Sequence, residues 1–340
     1  MHLHRVTSRS SIAIVGGESL LGKELRELLE ASDLGASVTL IASEESEDTS
    51  VITRGHEEPL VMSSLQAADL PSAKAILLAG SAESSGKVYE HIRGAARAPV
   101  LIDLTAALEH RPEARLRAPI VEPPDFSAAS PIQVIAHPAA IALALLLVEL
   151  QKSAKIRRSV AQIFEPASER GHAGIDELQK QTVGLLSFKP LQKDVYDAQV
   201  SFNMLPQYGS DSPHSLAAIE SKIDRHLASL LASAGTVPMP SLRLIQAPVF
   251  HGYSISLWVE FETNADIETI ERGLASSQID VRGKEHEPPT NVGVAGQSGI
   301  TVGAIALDHN QPHACWFWMV ADNLRIAAEN AVEVAREVVK

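Results

Sequence analysis

Cysteine is almost absent. Cys315 stands alone in 340 residues, which excludes an internal disulfide and fits a reducing cytosol. Positive charge is short as well, with 29 Lys and Arg against 42 Asp and Glu, a formal net charge of −13. Nucleic acid and anionic membranes select basic surfaces, so this balance argues against both as partners. Long apolar runs are missing too: the longest apolar helical stretch, 139–150, falls well short of the roughly 20 residues that span a bilayer. The opening residues, MHLHRVTSRS, have no apolar core of the kind a secretory signal needs and read as a loose polar tail. His2 and His4 could scavenge a metal ion there, but a flexible tail explains them and no metal site is expected. Internal repeats and low-complexity tracts do not occur, and the Pro-Pro pairs at 123–124 and 288–289 mark loops. The expected location is the cytoplasm.

What is present is a globular composition, 45% hydrophobic and 21% charged, over a length sufficient for two domains with cores of their own. Residues 11–15 (SIAIV) are strand-like and run into Gly16-Gly17-Glu18-Ser19-Leu20-Leu21-Gly22. A helix over 20–31 follows, with Leu21, Leu25, Leu28 and Leu29 at helical spacing. Strand, glycine turn and helix open a dinucleotide-binding unit. Further strands are expected at 38–42, 75–79 and 100–103, with a helix at 83–96, and that alternation implies a parallel, right-handedly wound sheet. Residues 131–136 read as a buried strand, His137-Pro138 as a tight turn, and 139–152 as a strongly apolar helix. Beyond it the texture changes to alternating or β-rich runs at 159–164, 242–247, 254–261, 301–307 and 314–320. Helices are expected at 175–186, 215–234 and 267–274. This is the pattern of a mixed α+β domain whose sheet is at least partly antiparallel. A last helix, 323–339, places Leu324, Ala327, Ala331, Val334 and Val338 on one face.

Several phrases, taken together and in order, resemble the aspartate-semialdehyde dehydrogenase family. They are SIAIVGGESLLGKEL, VLIDLTAAL, VIAHPAAIAL, FEPASERGHAGIDEL, QAPVFHGYSISLWVEFE, PPTNVGVAGQSGITVGAI and VADNLRIAAENAV, spread over nearly the whole chain. VSFNMLP and IQAPVF resemble a branch of dehydrogenase-like paralogues that lack the catalytic cysteine. The resemblance implies an α/β fold class: a Rossmann-type doubly wound domain over 1–137, completed by 321–340, and a mixed α+β substrate/dimerisation domain over 138–320. It also implies a homodimer.

Members of that family reduce an aspartyl phosphate to the semialdehyde with NADPH, through a cysteine thioester and a histidine acid/base. Carried over by resemblance, the cysteine falls on Ala140, with neighbouring asparagines of the motif on Ala139 and His137. The glutamine that orients the thioester falls on Glu165, and the acid/base histidine on Tyr253. The substrate arginine falls on Gln246, the substrate lysine near Leu216, and a phosphate-binding arginine on Glu109, beside His110 and Arg111. These losses are chemical. A methyl group cannot attack an acyl phosphate. Tyrosine titrates about three to four units above histidine and is a poor base near neutral pH. A glutamate repels the phosphate that an arginine attracts. Cys315 sits in the apolar run ACWFWMV and reads as a buried strand residue, not a substitute nucleophile.

The implied cofactor loop is altered as well. Gly16 and Gly22 are kept, but Ser19 replaces the middle glycine and Glu18 the neighbouring threonine, which puts a carboxylate next to the pyrophosphate position. After the second strand, which leads into the acidic loop from Ser43, the arginine for a 2′-phosphate falls on Glu45, an exchange that suits a ribose hydroxyl better. Asn323 matches the residue at the nicotinamide end, and Asp322-Asn323 also reads as a helix N-cap. The cofactor-contact candidates are therefore Gly16, Ser19, Gly22, Ser43 and Asn323, for weak NAD or NADP binding without metal. Ser168, Glu169, Arg170 and His172 form a polar loop cluster whose spacing alone makes no triad. His251, Tyr253 and Glu165 are candidates to converge in a polar pocket without a nucleophile.

Two functions follow as expectations. One is a non-catalytic paralogue that keeps the fold, the dimer and weak NAD(P) binding, and pairs with itself or with a catalytically complete relative. The alternative is an active NAD(P)-dependent oxidoreductase acting on an aldehyde or acyl phosphate in amino-acid biosynthesis, which requires a different nucleophile or a different placement of the corner at 137–140.

Overall fold

The computed structural model describes residues 11–43, 50–53, 60–66, 68–95, 97–123, 126, 129–264 and 266–340. They divide into two compact units. The first draws on the described parts of Met1–Pro119, Phe126–Ala136 and Ala327–Lys340, and the second on those of Ile120–Asp125 and His137–Ile326.

The first unit opens with β1 (Ser11–Val15), whose last four residues are buried, as a central parallel strand covered on both faces demands. A glycine turn leads into α1 (Leu20–Ala31), which is capped by Ser19 and buries Gly22, Leu25 and Leu29. There follow β2 (Ser37–Ile41), β3 (Ser50–Thr53), β4 (Leu60–Ser63), β5 (Ala75–Leu78), α2 (Ala82–Ile92), β6 (Val100–Asp103), β7 (Ala114–Arg117) and β8 (Ile132–Ile135). The sheet order is β3-β4-β2-β1-β5-β6-β8-β7. Every pairing is parallel except β3 with β4. β2 lies on one side of β1 and β5 on the other, so the turn after β1 sits at the switch point where open α/β sheets bind ligands. α2 ends four residues earlier than its apolar pattern suggests, because Gly94 adopts φ 90° just past its C-cap.

The second unit begins with α3 (Pro138–Ser153), in which every residue from Ala139 to Leu147 is buried. A helix apolar all round has no solvent face and belongs inside a core. Next come β9 (Ile156–Glu165), α4 (Gly171–Leu186), α5 (Leu216–Ala234), β10 (Ser241–Gln246), β11 (Tyr253–Phe261), α6 (Ile267–Leu274), β12 (Ile279–Arg282), β13 (Ile300–Leu307) and β14 (Ala314–Ala321). Their sheet runs β10-β9-β11-β14-β13-β12. The four central strands pair antiparallel and the two outer pairs are parallel. The last helix, α7 (Asn323–Val339), starts in the second unit and passes into the first at Ala327. There Arg117 Nη2 donates to both carboxylate oxygens of Glu337, at 2.9 and 3.0 Å, while its Nη1 donates to Gln133 Oε1. Among the described residues, no helix is long and apolar enough to cross a membrane.

Candidate functional site

The turn between β1 and α1 is built by close approach. A Cβ on Gly16 would stand 2.4 Å from Gly80, and one on Gly22 would stand 2.1 Å from the Gly16 carbonyl oxygen, so neither position tolerates a side chain. Gly16 also sits at φ 87°, where glycine alone is unstrained. The Gly16 and Gly17 N–H groups both donate to the Ile41 carbonyl, and Ser19 N–H donates to Gly16 O. Ser19 Oγ accepts from Gly22 N–H at 2.8 Å and donates to Ala79 O at 2.8 Å. Ser19 therefore caps α1 and ties it to the end of β5.

Glu18 turns toward the segment after β2. Its Oε1 accepts from the Ser43 N–H at 2.9 Å and from the Ser43 hydroxyl, while its Oε2 is buried without a partner among the described residues. Glu45 lies outside the described residues. The turn fits a dinucleotide in its glycine packing and helix start, and the orphaned carboxylate oxygen suits a hydroxyl donor and repels a phosphate.

Elsewhere in the first unit, His110 Nε2 lies 3.3 Å from Glu109 Oε1, and the Arg111 guanidinium stacks 4.4 Å above the Tyr89 ring. Neither basic side chain stands alone, and Glu109 is paired inside its own loop.

In the second unit the corner at His137 is well defined. His137 caps α3, its Nδ1 accepting from Ala139 N–H at 3.3 Å, and Pro138 takes the first helical position, where its missing N–H costs nothing. Ala139 and Ala140 fill the first turn and are fully buried. The His137 N–H donates to His226 Nδ1 at 2.9 Å. Burial, reinforced by the charges of His226, Lys222 and Arg170, holds the His137 ring well below its usual titration range.

Three strand ends bring the remaining candidates together. Glu165 closes β9, Gln246 closes β10 and Tyr253 opens β11, and each is 1% exposed or less. The Tyr208 hydroxyl reaches Gln246 Oε1 at 2.7 Å and Glu165 Oε1 at 3.1 Å, and the Tyr253 hydroxyl donates to Glu165 Oε2 at 3.4 Å. Arg170 Nη2 stands 3.3 Å from Glu165 Oε1 and 4.0 Å from Glu169 Oε2. Burial raises the Glu165 carboxyl against the pull of Arg170. The Glu169 carboxyl is pushed up to about 7, by burial first and then by the Glu165 charge. Burial and the same two carboxylates drive the Tyr253 phenol well above its usual range. A phenol held protonated beside two acids accepts no proton near neutrality.

A second chain of contacts runs from Asp322. His251 Nε2 pairs with Asp322 Oδ2 at 2.8 Å, and His251 Nδ1 lies 3.3 Å from Ser168 Oγ. Ser168 Oγ donates to Asn323 Oδ1 at 3.1 Å, which also accepts from Gly252 N–H at 3.1 Å, and Asn323 Nδ2 donates to Glu169 Oε1 at 2.8 Å. Burial works to raise the Asp322 carboxyl, but the His251 bond and the N–H groups of Arg325 and Gly296 hold it below the usual range. Asp322, not Asn323, caps α7, through the N–H groups of Leu324 and Arg325. The order acid, imidazole, hydroxyl is that of a nucleophile relay, yet Ser168 is 3% exposed and its proton has a nearer acceptor in Asn323. This relay fixes the Asn323 carboxamide.

Of the sequence candidates, Glu165, Gln246, Tyr253, Glu169 and Arg170 thus meet in one buried corner. His251 joins Ser168 instead, and His172 is exposed on α4. Cys315 is buried in β14, where burial lifts its thiol to about 11. Tyr208 and the Ser168–His251–Asp322 contact were not foreseen. The one available signal was that an acid at a strand end demands a counter-charge, which Arg170 supplies five residues on. Among the described residues no group of three or more His, Cys, Asp or Glu is placed to hold a metal ion.

Comparison with known proteins agrees with this architecture. The NAD binding domain of semialdehyde dehydrogenases matches residues 11–129, and their dimerisation domain matches 148–326. The USG-1 protein homolog of Pseudomonas aeruginosa is 30% identical over 97% of this chain and 98% of its own. An aspartate-semialdehyde dehydrogenase of Rickettsia bellii is 25% identical over 98% of this chain and 99% of its own. Among solved structures, a probable aspartate-semialdehyde dehydrogenase from Pseudomonas aeruginosa superposes with a TM-score of 0.84 at 28% identity, covering 98% of this chain and 99% of that one.

Proposed function

Because the chain belongs to the semialdehyde dehydrogenase family, we propose that it is a member without the family's covalent acyl chemistry, retained as a dimeric binding protein with weak affinity for NAD(P). The observation that carries this reading is the first turn of α3, where Pro138, Ala139 and Ala140 offer a ring and two buried methyl groups. Nothing there attacks a carbonyl carbon. The corner formed by Glu165, Glu169, Arg170 and Tyr253 supports the same reading. Glu165 stands where the resemblance expects a neutral glutamine, Glu169 adds a second carboxylate, and Arg170 answers both from within the chain. Arg170 is already engaged by both carboxylates, so it is not free to hold an anionic acyl phosphate there.

A nicotinamide dinucleotide supplies hydride chemistry when bound. Gly16, Gly22 and the start of α1 are the residues that would hold its pyrophosphate. The partner is a second copy of this chain or a catalytically complete relative with the same pairing surface.

The purified protein is expected to show no phosphate-dependent oxidation of aspartate semialdehyde with NAD or NADP. Turnover that scales with protein and survives repeated purification would overturn the proposal in favour of an active oxidoreductase. Ala140→Cys alone is expected to leave activity at the blank, because Tyr253, Gln246 and Glu109 stay as they are. Strong rescue by that single change would show those positions to be adequate.

A further inference from the structure

We propose that Glu18 is the residue that reads the adenosine ribose at the β1–α1 turn, accepting from the free 2′-hydroxyl of NAD and turning away the 2′-phosphate of NADP. The inference rests on the reading of this turn as a nucleotide site. A glutamate in a phosphate-binding turn would be plainly harmful if it faced the pyrophosphate, but Glu18 is drawn to the end of β2. The Ser43 N–H holds its Oε1 at 2.9 Å and the Ser43 hydroxyl holds the same oxygen. The end of the second strand is where dinucleotide folds place the acid that binds the ribose. Here the acid arrives from the glycine turn, 25 residues earlier in the chain than Ser43.

The second observation is the other oxygen. Glu18 Oε2 is buried and has no hydrogen-bond donor among the described residues. A buried acceptor left unsatisfied destabilises a fold by about 1–3 kcal/mol, and more when charged. A ligand hydroxyl would complete this carboxylate oxygen, while a phosphate, itself all acceptor, would not. The packing around it is tight: a Cβ on Gly80 would stand 2.7 Å from the Ser43 Cβ, so the contact cannot drift without moving the end of β5.

Calorimetric titration of the full chain with NAD and with NADP tests this without any turnover. Wild type is expected to bind NAD more tightly than NADP. Glu18→Gln keeps the acceptor for Ser43 and removes the charge, and is expected to shift the NAD-to-NADP affinity ratio at least tenfold toward NADP. Ser43→Ala keeps the Cβ but removes one of the two groups that aim the carboxylate, and is expected to weaken NAD several-fold with little change for NADP. It serves as the second arm should Glu18→Gln fold poorly. Both dinucleotides binding with a ratio unmoved by either substitution would overturn the role of Glu18 and leave the nucleotide reading standing. Absence of saturable heat for both ligands in every folded variant would overturn the nucleotide reading itself, and this inference with it.

Discussion

Glu165 and Glu169 lean on one guanidinium. Arg170 reaches both, and its own Nε is buried without a partner among the described residues. The cost of that arrangement falls on Glu169, whose carboxyl is pushed up to about 7 by burial and by Glu165, against Arg170, Asn323 and His251. An acid raised in the folded state holds its proton there while the unfolded chain has already released it. The associated stability is therefore present below about pH 4.5 and is lost as pH rises through about 7. Glu169→Gln keeps an acceptor for Asn323 and cannot ionise. It is expected to melt close to wild type near pH 5 and a few degrees higher near pH 8, a gain of roughly 2 kcal/mol. Thermal melts across that range check the sign, since a difference independent of pH would mean Glu169 does not titrate on folding. None of this was legible in the sequence beyond the presence of the residues. SERGH reads as a polar loop until the fold folds Arg170 back onto the end of β9.

The same holds for elements that lack regular structure. Residues 187–215 carry no helix or strand, yet two buried side chains of α4 organise them. Glu177 Oε2 accepts from Val195 N–H at 2.6 Å and its Oε1 from Tyr196 N–H at 3.3 Å. Gln181 Oε1 accepts from Val200 and Ser201, and its Nε2 donates to the carbonyls of Gln192 and Ala198. The long connection is thus a lining laid over a helix by backbone bonds. Glu177→Ala strands the Val195 and Tyr196 N–H groups and is expected to cost about 1–3 kcal/mol. Trypsin cleavage after the exposed Lys193 should accelerate strongly, with α4 retained by circular dichroism. Unchanged cleavage kinetics would show that the segment holds itself. Elements with long periodic patterns, such as α1, α5 and α7, were readable because burial on one face imposes a spacing. β3, β4, β7 and β12 have four residues each, too few to show alternation, and their pairing partners rather than their sequence make them strands. The Glu18–Ser43 contact was unreadable for a related reason: it depends on two turns that only the sheet brings side by side.

At the scale of the whole molecule, the sheet of the second unit poses a question of cover. In β9 the buried Ala161 and Ile163 alternate with exposed Val160 and Gln162, so one face belongs to the core and the other does not. Register places Val160 opposite Trp258, and Trp258 opposite Trp316, which makes an apolar row across three strands on the outer face. Val160 and Trp316 are each 42% exposed. The indoles of Trp258 and Trp316 both donate to Asp308 Oδ2, at 2.8 and 3.0 Å, which fixes their orientation, and the Arg158 guanidinium lies 5.7 Å over the Trp258 ring. Rigid aromatic anchors with their polar atoms already satisfied are what an interface core requires. A family whose matching segment is a dimerisation domain supplies the partner, and a self-complementary two-fold contact is the commonest way to cover such a row. The wild-type chain is expected to sediment as a dimer at micromolar concentration. Its acidic balance of −13 per chain opposes that association, so the dimer should tighten as salt screens the repulsion. Trp316→Lys places a charge in the row, next to Asp308, and is expected to weaken the dimer at least tenfold while the monomer stays folded. If Trp316→Lys pairs as well as wild type, the row is not the interface. If wild type itself runs as a monomer at micromolar concentration, the dimer fails, and pairing with a catalytically complete relative through the same surface fails with it.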